Sequence, residues 1–376
     1  MQAYLDNSAT TPLCETAKQW MRRAMEQDWG NPSSLHEAGL RAETLLSDCR
    51  VAVAKALRCK EKELLFTSGG TEANNLALFG AAYAQQKNGS RILVSAVEHP
   101  SVLKAAQQLA AEGFDVRVIP VDRFGVVSLK DVEALLDDKT ILVSVMAVNN
   151  ELGSIEPVQE IAALLKQKRS RALFHIDAVQ AFGKLPLSLQ KLGCDLLTVS
   201  AHKIHGPKGA GALWIKPGVT IRPRTFGGEQ QNGLRPGTEP TVAIAGFAGA
   251  ATKIAPEQHL ARVTALRDGF VAGLRKLPDV VVNSADDALP YIVNLALPHH
   301  PAEVVLNFLS DRGVCVSSGS ACAKGHRSPV LTAAGLDPAI VSSSLRVSLS
   351  TETTEAELQA CLDGIQAALD TIRRKG

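Results

Sequence analysis

Seven short apolar runs, spaced along the first 215 residues, constrain this chain most. They lie at Leu64–Thr67, Arg91–Ser95, Val116–Pro120, Ile141–Val145, Leu173–Ile176, Leu196–Val199 and Gly211–Ile215. Each is four or five residues long and bounded by turn residues, which suits a buried strand and is too short for a core helix. Helical patterns such as Thr71–Gln86, Ser101–Glu112 and Val158–Lys168 separate most of them. Strands that alternate with helices predict an α/β fold with a mostly parallel seven-stranded sheet, covered on both faces. In such sheets, sites form outside the carboxyl ends of the strands. Ser128-Leu-Lys-Asp131 reads as a capping box with Asp in place of the usual Glu or Gln.

With 376 residues the chain can bury a large core and divide into domains. The composition shifts near Pro240–Pro256, where the small-residue run Ala243–Thr252 reads as a bridge. Beyond it, helix 257–277, strand 291–297, helix 303–312, strands 314–317 and 345–349, and helix 354–373 predict a smaller α+β unit. The expected division is 14–254 for the large unit and 1–13 with 255–376 for the small one. Net charge is +2 and aromatics are 4%, which gives nucleic acid neither a basic field nor stacking platforms. No apolar stretch reaches the roughly 18 residues a membrane span needs, and the N-terminus shows no secretory pattern. Seven cysteines without paired spacings predict free thiols and a cytoplasmic, reducing setting. Cys14, Cys49, Cys59, Cys194, Cys315 and Cys361 read as buried hydrophobes. His299 and His300 read as exposed loop residues.

Two strand ends carry chemistry. Ser200-Ala-His-Lys203 follows one apolar run and opens into a glycine-rich turn, so its lysine stands beside a hydroxyl and an imidazole. A lone lysine in a loop is usually just solvated. Asp177, an acid ending the neighbouring run Phe174–Asp177, changes that balance. Pyridoxal phosphate needs these protein parts: a lysine for the Schiff base and an acid to keep the pyridine nitrogen protonated. Ser68-Gly-Gly-Thr71 follows a strand and opens a helix, where glycines and free amides can hold a phosphate. No G-x-G-x-x-G or P-loop pattern competes with it. His99 ends another strand on the same edge, where an imidazole can stack on a cofactor ring and move protons. Asn149 and Asn150 end the next, in a stretch that also reads as a simple turn.

Cys322 sits in Ser317-Ser-Gly-Ser-Ala-Cys322-Ala-Lys-Gly-His-Arg, a glycine- and serine-rich run with Lys324, His326 and Arg327 nearby. Such a setting favours thiolate. A zinc site from Cys322 and His326 lacks further ligands at suitable spacing, so no metal is expected.

Together these stretches resemble the cysteine desulfurases, pyridoxal-phosphate enzymes of the class V aminotransferase (aspartate aminotransferase-like) fold. The resemblance runs nearly end to end. It includes Tyr4–Pro12, Asn31–His36, Ser68–Asn75, His175–Gln180, Ser200–Gly209, Arg235–Glu239, Ser317–Cys322 and Arg346–Ser350. The stretch between Cys322 and Pro329 is similar to that of the group with a long, mobile cysteine loop. The resemblance implies that Lys203 is the Schiff-base lysine, that Asp177 pairs with the ring nitrogen, and that Gln180 bonds the ring hydroxyl while His99 stacks on the ring. Gly70, Thr71, Ser200 and His202 would hold the phosphate, with Thr238 reaching in from a second subunit of a homodimer. Asn149 and Arg346 would bind L-cysteine, Arg346 through its carboxylate. Cys322 would take the sulfur as a persulfide for a sulfur-acceptor protein, leaving alanine. Residues 227–234 and 323–327 carry side chains unusual for such enzymes.

Two alternatives stand beside this reading. One is another enzyme of the same fold: an aminotransferase, a selenocysteine lyase or a different carbon–sulfur lyase. The other is a scaffold that lost its cofactor, against which Lys203, Asp177 and His99 all argue.

Overall fold

The computed structural model describes residues 2–318 and 327–373. Its main sheet has seven strands, in the spatial order 64–67, 211–215, 196–200, 173–177, 140–144, 91–95, 115–119. All seven expected runs are strands, with limits within a residue or two of expectation. Gly211–Ile215 runs antiparallel to both neighbours, and the other pairings are parallel. The five consecutive parallel strands therefore send their carboxyl ends to one edge. The strands at 64–67, 140–144 and 196–200 are buried at every position. They show no alternation because helices cover both faces.

The helix Gly70–Gln85 packs its apolar residues, among them Leu76, Leu78 and Phe79, into one side of the sheet. On the other side the run 243–252, expected as a bridge, is the buried helix Thr241–Ala251. Its small residues permit close approach to helix Glu15–Glu26. A Cβ at Gly249 would fall 2.7 Å from the Thr16 carbonyl oxygen and 2.9 Å from Ala17 Cα. A helix with no polar face reads as a linker in sequence but belongs in a core.

A second, three-stranded antiparallel sheet centres on Ile292–Ala296, between Ser344–Ser348 and Val281–Val282. The N-terminal Ala3–Tyr4 pairs with Val314–Cys315, and Asp6 bridges to Ser348. Terminal helix Glu355–Thr371 opens with a true capping box between Thr354 and Glu357. At Ser128 only half of one forms. The Ser128 hydroxyl accepts from the Asp131 amide and donates to the Asp131 carboxylate at 2.6 Å. Asp is one methylene shorter than the Glu that usually reaches the N-cap amide.

Candidate functional site

Asp177 ends one parallel strand and Ser200 ends the next, with Asp177 opposite Thr198 in the register. Ser200 opens a short 3₁₀ turn, Ala201–Lys203. His99 caps the helix Pro100–Ala111 two strands away. Lys203, Asp177 and His99 are close enough that both charges act on the imidazole. Burial lowers the His99 pKa most; Asp177 opposes that and Lys203 reinforces it.

Asp177 is buried and fully engaged. Its Oδ1 accepts from the Val179 amide at 2.9 Å and its Oδ2 from Asn74 Nδ2 at 2.7 Å. Asn74 also donates to Ser101 Oγ at 2.9 Å, and Ser101 contacts His99 Nδ1. Neither Asn74 nor Ser101 was singled out in the sequence. Asn74 lies in the quoted stretch after Thr71, and only the fold shows that it faces Asp177.

Lys203 Nζ donates to the Ser8 and Ala9 carbonyls, the latter at 2.8 Å, so the strap 7–12 forms one wall. Gln180 is tied to the same wall: its Nε2 donates to Ser8 O at 3.0 Å, and its Oε1 accepts from Lys184 Nζ at 2.8 Å. Lys184 is a second residue the sequence did not flag. Burial, with the charges of Lys203 and Arg346 adding, lowers its pKa to about 7. His202 touches Thr10 Oγ1 at 3.3 Å, and burial lowers its pKa to about 4.

The phosphate residues fit their group. Ser200 is 1% exposed, and its hydroxyl has no hydrogen-bond partner in the protein. A buried orphan hydroxyl is costly unless a ligand satisfies it. Gly70 and Thr71 open the helix Gly70–Gln85, which no side chain caps, so its first amides remain available to an anion. A Cβ at Gly70 would lie 3.7 Å from Ser200 Cβ and 2.9 Å from Val179 Cγ2, so the two phosphate elements adjoin and Gly70 must stay small. The orphan hydroxyl and the uncapped helix start suit a phosphate. Thr238 is exposed, on a stretch anchored by the Arg235–Glu72 ion pair at 2.8 Å.

Arg346 is 2% exposed on strand Ser344–Ser348. It donates to Asp6 Oδ1 and to the Asn150 carbonyl, each at 2.9 Å. Asn149 is held by its own loop. It is fully buried and spends its amide on the turn: Oδ1 accepts from the Glu151 and Leu152 amides at 2.8 Å, and Nδ2 donates to Val97 O at 3.0 Å. It shapes the loop that brings the Asn150 carbonyl to Arg346.

Cys322, Lys324 and His326 lie outside the described residues. The described ends of that stretch are both anchored. Ser317 pairs backbone to backbone with Arg346, and Ser328 Oγ donates to the buried Glu151 at 2.6 Å. The six other cysteines are free thiols, and three of them, Cys14, Cys59 and Cys315, are only half-buried. Burial pushes Cys49, Cys59, Cys194 and Cys361 up to about 12. His300, expected exposed, is buried at 1% exposure, while its neighbour His299 is exposed. Among the described residues no helix is long and apolar enough to cross a membrane.

The chain matches the family described as aminotransferase class V over residues 3–361. A cysteine desulfurase IscS of Dictyoglomus turgidum is 39% identical, over 99% of this chain and 95% of that protein. A solved structure titled NifS-like protein superimposes with a TM-score of 0.94 at 36% identity, over 99% of this chain and all of that one. Another, titled SspA in complex with cysteine, gives 0.83 at 31%, over 94% and 100%.

Proposed function

The chain belongs to the class V aminotransferase family and, within it, to the cysteine desulfurases, and from that premise we propose which of its residues perform the reaction. The activity is pyridoxal-phosphate-dependent removal of sulfur from cysteine for delivery to acceptors. The cofactor, when bound, supplies an electron sink for the bonds to the substrate's α-carbon. One observation carries the assignment of residues: the carboxyl ends of two neighbouring parallel strands bring Asp177 and Ser200–Lys203 together.

Lys203 would hold the cofactor covalently, and its Nζ would move the substrate's α-proton. Asp177 faces the ring nitrogen, and its two backing donors, Val179 N and Asn74 Nδ2, fix the carboxylate's orientation. Gln180 would bond the ring hydroxyl and His99 would cover the ring. Gly70, Thr71, Ser200 and His202 hold the phosphate. Arg346, kept rigid by Asp6 and Asn150, takes the substrate carboxylate in a guanidinium fork. The Cys322 thiolate attacks the substrate sulfur. An S–S bond forms as the C–S bond breaks, alanine leaves, and a persulfide stays on Cys322 for a sulfur-acceptor protein.

The working unit is a homodimer in which Thr238 reaches the partner's phosphate. The exposure of Trp29 at 67%, Leu35 at 93% and Phe226 at 84% supports an apolar interface. Light scattering at assay concentration tests it, and a fully active monomer refutes it. Six free thiols support a reducing, cytoplasmic setting. The large unit is 14–254, and the small one is 1–13 with 255–376. The pairing of Ala3–Tyr4 with Val314–Cys315 supports that division.

Incubation of Cys322→Ala with cysteine tests the sulfur-transfer step. Alanine release at the wild-type rate removes Cys322 as the sulfur acceptor.

A further inference from the structure

His99 has two ring nitrogens, and the protein commits one of them. The backbone amide of Ser101 donates to Nδ1 at 3.1 Å, as expected at a helix start where the N-cap side chain accepts. An Nδ1 that accepts carries no proton. The ring cannot be turned over, because a C–H would then face that amide.

The Ser101 hydroxyl lies 2.8 Å from the same Nδ1. Its one proton has a single consistent direction. Asn74 Nδ2 donates to Ser101 Oγ at 2.9 Å and to Asp177 Oδ2 at 2.7 Å. Flipping the Asn74 amide would set its oxygen against the Asp177 carboxylate, so both donations are fixed by that carboxylate. The Ser101 oxygen therefore receives from Asn74, and its own proton goes to His99 Nδ1. All four groups are settled in one chain: Asp177 accepts, Asn74 donates twice, Ser101 accepts and donates, and His99 accepts at Nδ1.

We infer that Asn74 and Ser101 are positioning residues that hold His99 as the neutral Nε2–H tautomer, so that its free ring nitrogen enters the reaction as a hydrogen-bond donor and not as a base. The consequence for the reaction rests on the placing of His99 and Asp177 at the cofactor proposed above. The tautomer itself depends only on the protein. Proton uptake at Nδ1 would cost both Ser101 contacts. The division of labour follows. Lys203 is the base of the site, and His99 is confined to giving through Nε2. The chain also links the residue at the ring nitrogen to the residue at the ring face, so a change at Asp177 reaches His99 through Asn74.

Histidine 15N spectra of the holoenzyme at pH 8 test this directly, with His99 assigned by its loss in His99→Gln. The expected result is a protonated Nε2 and an unprotonated Nδ1. Two net hydrogen bonds bias the tautomers roughly thirty-fold, and removing one lowers that to about five-fold. Ser101→Ala should show such a drop, and Asn74→Ala, which only frees the Ser101 hydroxyl's direction, a smaller one. Should Asn74→Ala fail to fold, Ser101→Ala decides, because it removes only a hydroxyl. A protonated Nδ1 in the wild type overturns the inference. An unchanged tautomer ratio in the folded variants overturns the role of Asn74 and Ser101. Spectra of the cofactor-free protein separate the two readings. If His99 does not respond to the cofactor, its place at the ring fails while the tautomer assignment stands.

Discussion

Arg346 and Ser317 exchange both backbone hydrogen bonds, Ser317 N to Arg346 O at 3.1 Å and Arg346 N to Ser317 O at 2.6 Å. The residue proposed to receive the substrate carboxylate is thus paired to the residue from which the cysteine stretch departs. Eleven positions on, Ser328 is fastened to Glu151, next to the Asn150 carbonyl that holds Arg346. Both described ends of the stretch containing Cys322 are tied to the loop and strand that carry Arg346 and Asn150.

Arg346→Lys should therefore raise KM for cysteine well before it affects the fold. A lysine keeps the charge but cannot fork between Asp6, Asn150 and a carboxylate. The expected loss in kcat/KM is about ten- to a hundred-fold, with the rise in KM dominating. Steady-state kinetics checks it. A KM within about two-fold of wild type would place the carboxylate elsewhere.

Lys203→Ala should abolish the borohydride-fixable cofactor adduct and cut activity by at least about 10³-fold, a loss typical of a missing proton-transfer group. Noncovalent cofactor binding should persist through the helix start at Gly70 and the Ser200 hydroxyl. Peptide mapping after reduction checks the first part. An adduct on Lys184, the other lysine buried beside the site, would reassign the roles.

Most of this architecture was legible in sequence because strand ends carry both pattern and chemistry. The runs ending at Asp177 and Ser200 announced strands by their apolar residues and a site by the polar residues that follow. What stayed hidden depends on contacts distant in sequence. Asn74 meets Asp177 across 103 positions, and nothing local in the helix it occupies distinguishes it from a surface amide. Lys184 reads as an ordinary lysine after a glycine, and only the fold sets its Nζ against Gln180 and over the Tyr291 ring. Helix Thr241–Ala251 was missed because its evenly small, apolar residues offer no periodic face.

Asp177→Asn should leave the fold intact and lower activity by about 10²-fold or more, since a neutral partner no longer keeps the ring nitrogen protonated. It should also disturb His99, because an amide at 177 can set its NH₂ group against that of Asn74. Asp177→Glu should recover part of the activity. A shifted cofactor absorption band together with an unchanged melting temperature supports the role. Activity within a few-fold of wild type removes it.

Glu156 gives a pH signature separate from catalysis. It is buried, its Oε2 accepts from the Val127 amide at 3.0 Å, and its Oε1 has no partner. Burial raises its pKa to about 8. The folded state therefore holds a proton that the unfolded chain releases near 4.5, the ordinary value for a glutamate. The associated stability is complete below about pH 4.5, drains as pH rises, and is gone above about pH 8. Glu156→Gln, permanently neutral, should match the wild type in melting temperature at low pH and exceed it increasingly up to pH 8. Thermal melts across that window check it. Parallel curves would mean that Glu156 is ionised in the native protein.

Cys322→Ala separates this enzyme from fold relatives that need no thiol. The variant should bind the cofactor normally and change its absorption on adding cysteine, because neither event uses the thiol. It should release no alanine at an appreciable rate and carry no persulfide. Competing thiols are poorly placed to substitute. Burial holds Cys49, Cys59, Cys194 and Cys361 up at about 12, so almost none of each is thiolate at neutral pH. Cys315 is the nearest rival in sequence, but it lies on the two-residue strand that pairs with Ala3–Tyr4. Alkylation of the cysteine-treated enzyme followed by peptide mapping should find the sulfane sulfur on Cys322. A persulfide mapped to Cys315 or Cys14, or alanine formed at the wild-type rate by Cys322→Ala, would move the acceptor away from Cys322 while leaving the cofactor site as described.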